Sequence, residues 1–276
     1  MNQVFKYNRK DLSNTNMKPQ LKLLISLFLL LNLSGSNIHS QTLDQILEKH
    51  YAAMGIENLK DVNSIKYYGY YKNHYLKKIS KDLPQNLFQP DIELSVIKQS
   101  KYHLKITDIQ GDHLYGFPSN KYWNKPVHTS AVKWNPIPID RLWIQLYLDF
   151  EGFLYHPKEK GIQIEEVYNI TFKKKPYHCL QAITPEKDTL YYYINPENFL
   201  LDKISFGEML KDDEQQIFIA FDDFKTIEGV KIAFRKIYNI QTLDGSYGKR
   251  EEIFKKVEIN PELDMTVFEF QNQNNL

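Results

Sequence analysis

Apolar and polar residues alternate with a period of two over most of the chain. Ile65, Tyr67, Gly69 and Tyr71 share one parity, as do Ile92, Leu94 and Val96, and then Tyr102, Leu104 and Ile106. Further runs follow at 162–172, 176–183, 189–194, 199–206, 216–224, 230–240 and 251–259. Within 230–240, Val230, Ile232, Phe234, Tyr238 and Ile240 face one way, and Lys231, Ala233, Arg235, Ile237 and Asn239 the other. An antiparallel strand shows this pattern when one side meets a core and the other meets water. The links carry turn chemistry: Lys173-Lys174-Lys175-Pro176, Pro185-Glu186-Lys187-Asp188, Asn195-Pro196-Glu197-Asn198, Ile227-Glu228-Gly229 and Asp244-Gly245-Ser246. Such short turns favour a meander in which consecutive strands are neighbours. No linker divides residues 41–276, so a single domain is expected there.

Two segments break the period. Thr42 can cap a helix that carries Leu43, Ile46, Leu47, Tyr51 and Met54 on one stripe and ends near Gly55; residues 56–62 add a further helical turn. The second break runs from Pro136 to Leu154, with Asp140 as the expected cap. Ile139, Leu142, Trp143, Leu146, Phe150 and Phe153 lie on one helical face, and Ile144 and Leu148 on another. A helix apolar nearly all round must be covered on several sides or face a hydrophobic hollow. A sheet curled around a lid helix satisfies both demands, so the expected fold class is mainly β, of the α+β kind.

The N-terminus has a different pattern. Leu23–Leu33 is apolar except for Ser26 and Asn32, is preceded by Lys18 and Lys22, and is followed by Ser34-Gly35-Ser36-Asn37-Ile38-His39-Ser40. That run is far below the ~20 residues a membrane-spanning helix requires. The arrangement is that of a secretory signal, so residues 1–40 are expected to be removed, with cleavage near Ser40–Gln41 and Met17 as a possible true start. Leu33-Ser34-Gly35-Ser36 has the form of a lipobox with serine in place of the cysteine. A hydroxyl cannot form the thioether anchor, so a free periplasmic protein is expected.

Composition adds aromatics and little charge. The chain has 276 residues with 19 Tyr, 16 Phe and 3 Trp, which favour strands. Its formal charge is +1, and loss of residues 1–40 would bring it to −3. Neither value supplies a basic field for nucleic acid. Cys179 is the only cysteine, which excludes an internal disulfide and a cysteine-rich metal site. It sits in a strand-like run and reads as a small buried hydrophobe.

Candidate chemistry is sparse. The eight histidines are dispersed, with no zinc-type spacing. Neither a G-x-S-x-G elbow nor a phosphate-cradling glycine loop is present. Asp222-Asp223 and Lys211-Asp212-Asp213-Glu214 read as solvated surface. His103 and Lys105 fall on the outward parity of their strand. We therefore expect binding without catalysis, no metal site and no cofactor. The candidate ligand contacts are the large aromatics Trp123, Trp134 and Trp143, the lid residues Leu142, Leu146 and Phe150, and the strand residues Leu104 and Phe234.

A series of short motifs runs along the chain. The motifs are His50-Tyr51-Ala52-Ala53-Met54-Gly55, then Leu148-Asp149-Phe150-Glu151-Gly152-Phe153-Leu154 followed by Lys158-Glu159-Lys160-Gly161. Tyr191-Tyr192-Tyr193-Ile194-Asn195-Pro196 with Leu200 and Lys203 comes next. Asp223-Phe224-Lys225 with Gly229-Val230-Lys231-Ile232, and Ile259-Asn260-Pro261-Glu262-Leu263-Asp264 to Phe268, complete the set. Their order resembles the LolA/LolB-like family of outer-membrane lipoprotein-sorting proteins, and the resemblance covers most of residues 42–270. It implies an incomplete antiparallel β-barrel of about 11 strands wrapped around a helical lid, with an apolar cavity that holds lipoprotein acyl chains. Where the best-known carriers place an arginine on an early strand, residues 98–107 offer Lys98, Lys101 and Lys105. The functional expectation is a monomeric periplasmic carrier for lipoprotein acyl chains or another lipid, meeting inner- or outer-membrane sorting machinery. The alternative is a non-catalytic periplasmic sensor or protein-interaction module on the same fold.

Overall fold

A computed structural model of the chain describes residues 41–74, 89–118, 121–133, 135, 138–207, 216–241 and 247–269. The expected signal segment 1–40, with Met17 and the serine-bearing lipobox, lies outside these residues. So do Trp134, the 211–214 acidic run and the Asp244-Gly245-Ser246 turn.

The described residues from Thr42 onward fold as one compact unit. Its first helix, α1 (Leu43–Met54), starts with a reciprocal capping box between Thr42 and Gln45 and buries Ile46, Leu47 and His50. Gly55 ends it in the left-handed region (φ 69°), and its N–H reaches back to the last turn. A 3-10 turn, Ile56–Leu59, leads into the sheet. The strands are β1 (Ser64–Asn73), β2 (Asp91–Ile97), β3 (Lys101–Asp108), β4 (Gly111–Pro118), β5 (Trp123–Lys125) and β6 (Val132–Lys133), followed by helix α2 (Pro138–Leu148). After it come β7 (Gln163–Phe172), β8 (Lys175–Ile183), β9 (Thr189–Ile194), β10 (Leu201–Phe206), β11 (Phe218–Ile227), β12 (Val230–Gln241) and β13 (Tyr247–Ile259).

All these strands belong to one antiparallel sheet, ordered β6-β5-β4-β3-β2-β1-β13-β12-β11-β10-β9-β8-β7. The chain enters at the middle, steps outward to β6 and passes through α2. It resumes at the opposite edge, β7, and steps back until β13 pairs with β1. Among the described residues no ladder joins β6 to β7, so the barrel is open. The expected meander is present, with 13 strands among the described residues where about 11 were expected. The additional ones lie in β4–β6, where Asp112, His113 and Gly116 interrupt the alternation and β5 and β6 span only three and two residues.

The inner face follows the parity read from the sequence. In β1, Ile65, Tyr67, Gly69 and Tyr71 are buried while their neighbours are partly exposed. At Gly69 a bulge brings the Ile253 carbonyl of β13 where a Cβ would stand, which explains the glycine. The inner residues form two apolar clusters. The larger includes Ile65, Tyr67, Leu94, Val96 and Phe254; the other includes Ile46 and Leu47 of α1 with Leu180, Tyr192 and Ile204. Helix α2 serves both, giving Leu142 to one and Ile144, Tyr147 and Leu148 to the other. Each such side chain contributes about 1.5–3 kcal/mol when buried, which explains why α2 is apolar nearly all round.

The limits of α2 differ from expectation. It starts at Pro138, so Asp140 lies inside the helix and does not cap it. Proline suits the first helical position, where its missing N–H costs nothing. The helix stops at Leu148, whose carbonyl accepts the Gln99 N–H at 2.8 Å. Phe150 and Phe153 therefore project from turns and not from a continuing helical face.

Candidate functional site

A hollow of ≈ 1100 Å³, counting its open mouth, lies between α2 and the sheet. Trp143, Leu146 and Tyr147 form its helical wall; Phe150, Phe153 and Leu154 form the next. Met54 and Ile56 close one end, and Tyr192, Ile204, Ile219 and Phe221 supply the sheet side. The lining is predominantly apolar with a few polar groups.

The segment after α2 is pinned in place. Lys160 Nζ bonds Asp149 Oδ2 at 2.7 Å and the Gly152 carbonyl at 2.8 Å, and Lys98 Nζ bonds Glu151 at 2.8 Å. Tyr51 of α1 donates to the Leu154 carbonyl. The run Asp149–Leu154, which carries part of the family resemblance, is thus the wall of the hollow, with its charged members turned to partners and its aromatic members turned inward. His50 donates from Nδ1 to the Phe199 carbonyl at 2.8 Å, and burial lowers its pKa, so it lines the hollow as a neutral ring.

A second hollow of ≈ 720 Å³, counting its mouth, lies beyond α2. It is lined by Tyr71, Tyr102, Leu104, Ile106, Tyr115, Ile144, Arg250 and Glu252. Trp143, Tyr147 and Tyr238 line both hollows and so form the partition. A polar cluster occupies this partition, and strand register explains its assembly. Tyr71, Glu252, Lys236 and Phe221 form one row across β1, β13, β12 and β11, while Arg250, Tyr238 and Ile219 form another. Glu252 Oε2 accepts from Tyr238 at 2.6 Å and from Tyr147, whose hydroxyls are 3.2 Å apart. Lys236 Nζ lies 3.6 Å over the Tyr147 ring and 5.5 Å from that of Tyr67. The Arg250 guanidinium faces Tyr71 at 4.7 Å, Tyr238 at 5.1 Å and Trp143 at 5.8 Å.

The electrostatics follow from this burial. Desolvation pulls the Lys236 pKa down to about 8, with Glu252 resisting. Burial also opposes the charge on Arg250, but Tyr71 and Glu252 outweigh it and hold the pKa above the ordinary range. Desolvation first, and then Glu252, raises the phenols of Tyr67, Tyr147 and Tyr238, which remain neutral. Burial pushes the Cys179 thiol up to about 12, an unreactive state. Among the described residues no group of three or more His, Cys, Asp or Glu side chains is placed to hold a metal ion.

The residues singled out from the sequence divide among several places. Trp143, Leu146 and Phe150 line the first hollow, and Leu104 lines the second. Leu142 does not reach the hollow: it is buried in the cluster beneath β8–β10, because the helix turns that side toward α1 and the sheet. Phe234 is likewise packed into the larger cluster, with Lys225 Nζ 4.0 Å over its ring. Trp123 lies on the outer face. It pairs with Gly116 across β4 and β5, where any Cβ at 116 would strike the indole, and its Nε1–H donates to the Phe268 carbonyl at 3.2 Å. The 3-10 turn Met265–Phe268 thereby covers His103, which is outward as expected yet only 6% exposed, with its pKa pulled down to about 4 by burial. Lys236, Arg250 and Glu252 were not among the sequence candidates. The available signal was Lys236 itself, a charge on the apolar parity of β12 between Phe234 and Tyr238.

The sequence matches no protein-family model and no curated protein. Solved structures do match. A LolA superfamily protein from Nitrosomonas europaea is 13% identical with a TM-score of 0.52, the match covering 83% of this chain and 98% of that one. An outer membrane lipoprotein-sorting protein domain from Vibrio parahaemolyticus is 11% identical with a TM-score of 0.50, covering 80% and 95%. No helix among the described residues is long and apolar enough to cross a membrane. At this identity the likeness is one of fold, and in fold the chain is LolA-like: an open antiparallel β-barrel closed over by helices.

Proposed function

We propose that this protein is a periplasmic carrier that shields an acyl chain, of a lipoprotein or another lipid, in the hollow beneath α2. The observation that carries this reading is the apolar hollow itself, walled by Leu146, Phe150, Ile204 and Ile219 and open to solvent. A LolA-like frame around it supports the same reading. Holding a chain there requires no covalent step, so the role is one of binding and release. Burying about ten methylenes gains on the order of 8 kcal/mol.

The test is displacement of a fluorescent acyl probe. Saturable binding that long-chain lipids reverse, and that Ile219→Trp weakens about ten-fold or more by filling the hollow, is the expected result. Equal probe binding by the wild type and the filled variant would place the probe elsewhere and remove the basis of the carrier reading.

A further inference from the structure

The partition between the hollows is charged, and its charge is unbalanced. Lys236 and Arg250 are both deep in the protein, partly accessible only because they line the hollows. Opposite them stands one carboxylate, Glu252, whose Oε2 is already taken by two phenols. It acts on both cations through space, and among the described residues neither makes an ion pair. Two buried donors at this spot also lack an acceptor among the described residues, Trp143 Nε1 and Arg250 Nε. Buried cations and unmet donors are costly unless an anion answers them. Phe221 shares the register row of Lys236, and Ile219 that of Arg250; both line the first hollow, so the charged spot adjoins an apolar wall directly.

Building on the carrier reading, we propose that the cargo is a single-chain lipid whose anionic head, a carboxylate or phosphate monoester, seats at this partition against Lys236, Arg250 and the Trp143 indole. Its acyl chain lies along Phe221 and Ile219 in the first hollow. A carboxylate completes the charge balance of the cluster, the more highly charged phosphate monoester exceeds it, and either supplies the missing acceptors. Other groups facing the site leave this balance unchanged near neutrality. Tyr67, Tyr71, Tyr102, Tyr147 and Tyr238 are held neutral by burial. His50 is neutral, Asp149 is paired with Lys160 and Glu151 with Lys98, and Lys231 lines the first hollow away from the partition row. Lys236 is then the group that changes charge between pH 7 and 9.5.

The test compares oleate, oleyl phosphate and oleyl alcohol as competitors of a fluorescent acyl probe, below their aggregation concentrations. Near pH 7 either anion should compete at least about ten-fold better than the alcohol. That preference should shrink about three-fold or more near pH 9.5, and Lys236→Met should reduce it to a similar extent at pH 7. The pH comparison on the wild type requires no variant, so the test stands if Lys236→Met fails to fold. If all three compete equally, the anionic head is wrong and the carrier reading survives. If none competes, both fall.

Discussion

Lys236 is the residue whose burial is hardest to reconcile with stability alone. Its pKa lies near 8 in the folded protein against 10.5 for the free side chain. The unfolded chain thus binds more protons between those values, and stability rises with pH across that window. Its buried charge costs up to about 3 kcal/mol at pH 7, and the tyrosines intervene only above about pH 10. We expect Lys236→Met to stabilise the ligand-free protein by about 1–3 kcal/mol at pH 7 and to flatten the rise between pH 8 and 9.5. Denaturant titrations at several pH values measure both. His103 acts with the same sign on the acid side. Its pKa of about 4 lies below the ordinary 6.5, so its contribution is complete above 6.5 and is lost as pH falls toward 4. His103→Leu should reduce the acid sensitivity of unfolding over that range. Trp123→Ala should cost about 3–5 kcal/mol and leave acyl-probe affinity unchanged, since the indole packs on the outer face over Gly116. At this scale the sequence was only partly legible. Trp143 and Trp123 look alike as residues, and only the cross-strand row His103, Gly116, Trp123 sends one outward.

Among the elements, α2 links fold to function. Its two apolar sides feed two clusters, and the side between them, with Trp143, Leu146 and Tyr147, is left over to face the hollow. Leu146→Trp should fill space where Leu146 is only half-buried, lowering probe affinity about ten-fold at a stability cost near 1 kcal/mol. The wall after α2 depends on the Lys160–Asp149 pair and the Gly152 carbonyl. Lys160→Met should therefore cost about 1–2 kcal/mol and speed hydrogen exchange across 149–161. The strands with strict alternation, such as β1 and β12, were legible because one face meets the interior throughout. β4 was not, because a glycine there makes room for an indole and His113 and Asp112 bond Asp108 and Thr107 on the same hairpin. The ends of α2 were equally obscure, since apolar residues continue past Leu148 for reasons of lining and not of helix.

For the molecule as a whole, the decisive feature is the path of the chain. It starts in the centre of the sheet and closes β1 against β13, leaving β6 and β7 as separate edges with a helix between them in sequence. Such a barrel curls without sealing, and the helix fills it only in part. The general shape was legible from period and turn chemistry. The charged partition was not, because it arises from register between β1 and the distant run β11–β13, with α2 packed across them. The central claim is that the remaining space belongs to a lipid. Native mass spectrometry of protein purified without detergent tests it directly. We expect a bound species of lipid mass at one per chain, released on denaturation and absent from Ile219→Trp. A wild-type protein that shows only its own mass, and still shows only that after incubation with long-chain lipids, would contradict the account.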